Sequence, residues 1–142
     1  VVVGDFFHSE ANLELEWFRK WRDEFSQLKI TLVKGNHDIL HDNWYLESGI
    51  ELAGNELITP PFHFIHDQCE DKQGSYTFCG HVHPGVVING AGRQSLRFPC
   101  FYFTEHHCIL PAFSKFTGAV AMDTSAADAV FAIVQQSIIR VQ

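Results

Sequence analysis

Short apolar runs, each closed by glycine or a polar cluster, set the rhythm of this chain. Residues 1–5 open as an apolar strand of the kind covered on both faces, and residues 30–33, Ile-Thr-Leu-Val, form a second β-branched run of strand length. Between them Trp17, Phe18, Trp21, Phe25 and Leu28 recur at three- and four-residue intervals. That spacing predicts a helix from Ser9 or Asn12 to about residue 28, with those five side chains as one buried face. Glu16 with Lys20, and Arg19 with Asp23, stand on its other side at the spacing of helical ion pairs. A strand, a crossover helix and a strand form a unit whose strands lie parallel, which puts Asp5 and Asn36 at one edge of one sheet.

The pattern then predicts a shorter helix over residues 40–47, with Trp44, Tyr45 and Leu46 as its apolar side. Thr59-Pro60-Pro61 breaks the chain ahead of a strand at 62–65, and the polar run 67–75 reads as an exposed loop before a strand at 76–79. Strand-like pieces follow at 86–88, 96–103, 108–110, 119–122 and 130–134, punctuated by Gly90, Gly92, Pro99, Pro111 and Gly118. They predict a second, more antiparallel sheet packed on the first. With no repeat and no linker, residues 1–142 read as a single α/β domain.

At 142 residues and 46% hydrophobic, such a domain can bury a real core. Seventeen acidic against ten basic residues leave a net charge of −7, which excludes a surface that is one nucleic-acid footprint while allowing a local basic rim. Cys69, Cys79, Cys100 and Cys108 lack C-x-x-C spacing and follow no secretory signal, so they read as reduced, mostly buried thiols of a cytoplasmic protein rather than a disulfide framework. No apolar run approaches the roughly 20 residues that span a bilayer, so no membrane partner is expected. The opening valines, with neither methionine nor turn ahead of them, read as a domain entered part-way.

Nine histidines cluster beside glycines, and three strand ends carry most of the chemistry. Val3 runs into Gly4-Asp5 with His8 close behind, Val33 into Lys34-Gly35-Asn36-His37-Asp38, and Cys79 into Gly80-His81-Val82-His83-Pro84, while His66 closes the run 62–65. Open α/β sheets keep their ligands at such strand ends. Oxygen donors mixed with imidazoles suit manganese, iron or zinc better than calcium. Taken singly, each residue has a plain structural use: Asp5 can cap the helix, His66 can be a solvated edge residue, and the 35–38 segment can be a polar turn. His81 and His83, two imidazoles around one residue between glycine and proline, make the most specific local signal. His63 alternates with His66 and points elsewhere; His8 is a neighbour of the site or a polar helix start; His41 has no assigned role; His106 and His107 beside Glu105 read as a solvated strand end.

The ordered set G-D, G-N-H-D, a lone His and G-H-x-H resembles the calcineurin-like metallophosphoesterases. Gly4-Asp5-Phe6-Phe7-His8-Ser9 with Asn12 and Trp17, Gly92-Arg93 leading to Phe98-Pro99-Cys100-Phe101, and Leu110-Pro111-Ala112-Phe113 with Phe116-Thr117-Gly118 resemble its ligase-associated DNA damage response endonuclease branch, PdeM. The resemblance implies an α/β/β/α sandwich with mixed sheets. It also implies a cytoplasmic hydrolase, a manganese-dependent phosphodiesterase acting on DNA beside an ATP-dependent DNA ligase, a helicase and a second nuclease-like protein.

Two divalent ions roughly 3.5–4 Å apart, Mn2+ or else Fe or Zn, are implied as well. By the match Asp5 would bridge them, Asn36, His66 and His81 would complete the second ion's shell, and His83 would bind the first. His37 would protonate the leaving oxygen as general acid, since imidazole titrates near neutral pH. Asp38 would tie the turn together through backbone hydrogen bonds. The family's opening D-x-H has no counterpart ahead of Asp5, so the first strand and first metal motif are expected to be missing and the fragment weakly active or inactive. Arg93, Arg97 and Lys115 are candidate phosphate contacts. A nucleotide pyrophosphatase or small-molecule phosphatase on the same metal core, or a non-catalytic repair interaction module, are the alternative functions.

Overall fold

The structure is a computed structural model that describes residues 1–9, 13–67, 69, 73–114 and 117–142. Its first part runs through strand β1 (Val2–Val3), helix α1 (Leu13–Glu24), strand β2 (Ile30–Val33), helix α2 (Asp42–Glu47) and strand β3 (Ile50–Leu52). β2 lies between β1 and β3, parallel to both, with Val2 opposite Leu32 and Ile30 opposite Ile50. The expected strand-helix-strand unit is therefore present, and parallel pairing delivers the ends of β1 and β2 to the same edge. Leu15, Ile30, Leu32, Leu40, Tyr45 and Ile50 form the core beneath it, with Phe6, Phe7, Phe18 and Trp44 packed against them. Phe7 meets Phe18 and Trp44 edge-on at 5.1 and 5.0 Å, the favoured aromatic geometry, so the chain just after Asp5 is anchored in apolar packing.

The second part contains β4 (Glu56–Thr59), β5 (Phe62–Ile65), β6 (Tyr76–Cys79), β7 (Pro84–Asn89), β8 (Ser95–Phe103), β9 (His107–Ile109), β10 (Val120–Ala121), β11 (Ala129–Val134) and β12 (Ser137–Arg140). Their order across the sheet is β10-β7-β8-β9-β6-β5-β4, with β11 joining β8 to β12. β5, β6 and β9 run parallel, whereas β4–β5, β7–β8, β8–β9 and β8–β11 are antiparallel, so the sheet is mixed. β8 changes partners in mid-course: residues up to Pro99 pair with β7, and residues from Cys100 pair with β11. Proline lacks an N–H for a continuous ladder, and it stands where the handover occurs. Cys79, Cys100, Tyr102, Ile109 and Val130 are buried here as a second core.

Four expectations are corrected. α1 ends at Glu24, and its inward side is Leu15 and Phe18 rather than the aromatic stripe: Trp17, Trp21, Phe25 and Leu28 are exposed, Trp17 by 62%. The helix carries two apolar rows, and the row facing the sheet is the one whose neighbour Arg22 reaches the carbonyls of Ser48 and Gly49, each at 3.3 Å. Arg19 turns to Glu47 at 4.0 Å and lies over the Trp44 ring, not toward Asp23. β1 is half-buried instead of covered on both faces, and among the described residues it pairs with β2 alone. Cys69 and Cys79 are joined in a disulfide, since the chain after His66 turns back beside the end of β6, a return that spacing alone does not reveal. Cys100 and Cys108 are free, as expected, and burial pushes their thiols up to about 11 and about 12. Asn12, the alternative helix cap, and Lys115 lie outside the described residues.

The contrast between core and stripe is measurable by urea denaturation. Leu32 is fully buried, so Leu32→Ala lowers stability by about 2–5 kcal/mol. Trp17→Gln on the exposed row changes it by about 0.5 kcal/mol or less.

Candidate metal centre

Two glycines let the loops meet. Gly4 has φ +72, and a Cβ there would fall 2.0 Å from His66 Nδ1. A Cβ on Gly35 would fall 2.4 Å from Asp5 Oδ1 and 2.5 Å from the Asp5 nitrogen. Hydrogen alone fits at both places. Asp38, buried as the closing residue of the G-N-H-D turn, then fastens the first loop to the second. Its Oδ1 accepts the N–H of Phe6 at 2.8 Å and of Phe7 at 3.2 Å, and its Oδ2 accepts the N–H of Gly35 at 2.8 Å. Asp5 Oδ1 in turn accepts the His37 N–H at 2.9 Å.

His66, buried at the end of β5, is where the donors gather. Its Nδ1 lies 3.1 Å from the Val3 carbonyl, which only accepts, so Nδ1–H donates there and Nε2 is the nitrogen turned toward the other side chains. That Nε2 faces Asn36 Oδ1 at 3.1 Å, Asp5 Oδ2 at 3.3 Å and His81 Nδ1 at 3.3 Å. The ligand atoms of Asp5, His66 and His81 all lie within 4.8 Å of one another. These four side chains all offer atoms able to ligate a cation. Separations near 3 Å are also the edges of an octahedral shell with bonds of about 2.1 Å. A carboxylate, an amide oxygen and two imidazoles are thus a donor set that fits a divalent transition metal.

The backbone at the site is unusual in the same places. Asp5, His81 and His83 have φ of 52, 59 and 53 degrees, left-handed values that cost a non-glycine residue roughly 1–2 kcal/mol each. His83 sits beside the cluster. Burial holds its imidazole below the usual value, the Asp5 carboxylate opposes that, and His81, His66 and His8 reinforce it, so the ring is neutral at pH 7 and keeps a lone pair. His37 is exposed at the rim, its ring 5.2 Å from that of His8. The structure therefore brings Asp5, Asn36, His66 and His81 together, with His83 and His37 on either side of them.

The remaining histidines have structural places. His63 is buried between Thr77 Oγ1 at 3.3 Å and Glu56 Oε2 at 2.9 Å, away from the cluster. His41 is the N-cap of α2, its Nδ1 accepting the Asn43 N–H at 3.3 Å. His106 is exposed with Glu105 3.8 Å away. The sequence reading did not anticipate a pocket of about 260 Å³ beside His83, walled by Pro84, Pro99, Ala112 and Ala119. Its residues come from separate segments, and short prolines and alanines carry no chemical signal.

No family model and no curated protein matches the chain. A solved structure does: the nuclease MPE from Pseudomonas putida superposes with a TM-score of 0.78 at 31% identity. The chain shares its fold with a nuclease. The match covers 92% of this chain and 64% of the nuclease, so the chain spans a little less than two thirds of its neighbour's length. The α/β architecture with mixed sheets expected from the sequence is the observed one. Among the described residues no helix is long and apolar enough to cross a membrane.

Two measurements probe the centre. Gly35→Ala drives a methyl group into Asp5 and lowers stability by more than about 1 kcal/mol, whereas Gly118→Ala, which meets nothing within 4 Å, leaves the urea midpoint within about 0.5 kcal/mol of wild type. His83 has a folded pKa below its ordinary 6.5, so its stability contribution is full above that pH and is lost as pH falls through the folded value. In metal-free buffer His83→Gln flattens the acid limb of the stability profile below about pH 6.5; an unchanged limb would refute a ring kept neutral by burial.

Proposed function

We propose that this chain is a metal-dependent phosphodiesterase of the calcineurin-like metallophosphoesterase class with DNA as its substrate, its 142 residues acting as one metallophosphoesterase domain whose hydrolysis, on this span alone, is weak. The observation that carries the reading is the convergence of Asp5, Asn36 and His81 on Nε2 of His66 at 3.1–3.3 Å. The fold likeness to a nuclease supports phosphodiester chemistry in general. Asp5, Asn36, His66 and His81 would hold one divalent ion, and Asp5 with His83 would contribute to a second, manganese being the preferred metal. Ions bound there supply Lewis acidity toward the phosphoryl oxygens and lower the pKa of water.

The chain's own residues do the rest. Asp5 is oriented by the His37 N–H, so its Oδ2 is left to face His66 and the cluster. His66 is held in one tautomer by Val3. His37, exposed at the rim, donates a proton to the departing oxygen. The repair setting, with an ATP-dependent ligase, a helicase and a second nuclease-like protein as partners in the cytoplasm, belongs to the same proposal. The net charge of −7 favours a second reading, in which a nucleotide pyrophosphatase or small-molecule phosphatase uses the same residues without gripping a polyanion.

Manganese-dependent hydrolysis of an oligodeoxynucleotide and of a bis-aryl phosphodiester distinguishes these readings. His37→Ala slows DNA cleavage by roughly 10²- to 10⁴-fold, because an alkoxide leaves poorly without a proton, and slows the aryl ester far less. Equal losses on both substrates would remove His37 from the general-acid role. Hydrolysis of nucleotides with none of DNA would favour the second reading.

A further inference from the structure

The pocket beside His83 has no part in the mechanism above, yet it shares that residue with the candidate centre. Its walls are Pro84, Pro99, Ala112 and Ala119, small and largely apolar surfaces. At about 260 Å³ it is below the range of roughly 300–1,000 Å³ that encloses a drug-sized ligand, and suits a single ring unit. Phe113 stands between two lining residues, Ala112 and Ser114, with its side chain entirely exposed at 106%. An aromatic ring left wholly in water, its two chain neighbours lining a pocket, is surface available for a partner.

A cation is fixed at the same wall. Arg97 Nη1 donates to the Ala119 carbonyl at 2.8 Å, and the arginine stem lies against Gly85, where a Cβ would come within 3.2 Å of its Cγ. Among the described residues no carboxylate forms an ion pair with Arg97, so its charge faces outward. A flat ring surface, an apolar slot for one ring and an anchored guanidinium beside a candidate phosphate-cleaving centre match the parts of one nucleotide unit, its base and its phosphate. A chain of net charge −7 cannot hold a polyanion through a general electrostatic field, so stacking has to supply much of the grip.

We propose that Phe113 and the pocket beside His83 form a nucleobase subsite, in which the ring of Phe113 stacks on the base that neighbours the cleaved phosphate while Arg97 meets the flanking phosphate. The subsite rests on the phosphodiesterase reading for its purpose, and its test is independent of hydrolysis. Anisotropy of a labelled oligothymidylate in metal-free buffer is the measurement. Phe113→Ala weakens binding by about 10-fold or more, the loss of one base–aromatic stack, and Phe113→Trp restores it. An oligomer of abasic sugars binds wild type and Phe113→Ala equally. Because Phe113 is fully exposed, its replacement leaves the fold and manganese binding unchanged.

Equal affinity of wild type and Phe113→Ala for oligothymidylate overturns the subsite, as does an abasic oligomer that distinguishes them. If wild type binds oligothymidylate through Phe113 yet neither binds manganese nor hydrolyses any ester, the subsite stands and the phosphodiesterase reading fails. If hydrolysis proceeds and Phe113→Ala leaves oligonucleotide affinity untouched, the reverse holds.

Discussion

The carboxylate of Asp38 is the fastening on which the candidate centre depends. It takes backbone N–H groups from both loops, Phe6 and Phe7 from the first and Gly35 from the second. Bonds to an ionised acceptor are about twice as strong as neutral ones, and without the acceptor three partly buried donors would be stranded. Tyr45 lies against the same carboxylate at 3.5 Å, and burial together with the charge of Asp38 raises its hydroxyl well above the usual range, keeping it a donor. The spacing between Asp5 and Asn36, and so the position of every oxygen donor, follows from this one side chain.

Around that fastening the backbone accepts conformations that ordinary sequence avoids. Gly4, Asp5, His81 and His83 are all left-handed, and glycines at 4 and 35 admit approaches that any side chain would block. The compensation comes from both cores. Phe6 and Phe7 pack into the aromatic group formed with Phe18 and Trp44, while Cys79, just before Gly80, is wholly buried and bonded to Cys69. Gly80 N–H reaches the His66 carbonyl at 3.1 Å, so the lone histidine and the paired histidines are joined by main chain as well as through their rings. Local strain of this kind persists only where surrounding packing leaves the chain no alternative.

The centre and the pocket share His83 but differ in what built them. The centre draws on residues with strong chemical identity placed at strand ends. The pocket is made of proline and alanine walls where β7, β10 and the segment after β9 come together, with Val120 N–H bonded to the His83 carbonyl at 2.9 Å.

Much of this was already written in the residue order. The runs 30–33, 62–65 and 76–79 are strands residue for residue, because β-branched and aromatic runs bounded by glycine or proline have few other uses. The donors Asp5, Asn36, His66 and His81 stood out through residue type and their place at strand ends, and the parallel pairing of β1 with β2 follows from a crossover helix. Folding decided what periodicity leaves open. α1 has two apolar rows, and contact with the sheet, not hydrophobicity, selected Leu15 and Phe18 over Trp17 and Trp21. β3 and β12 are short or exposed strands whose pairing comes from neighbours rather than composition. Which nitrogen of His66 faces the oxygens depends on a carbonyl 63 residues away, and a distance of that kind exists only once the chain has closed on itself.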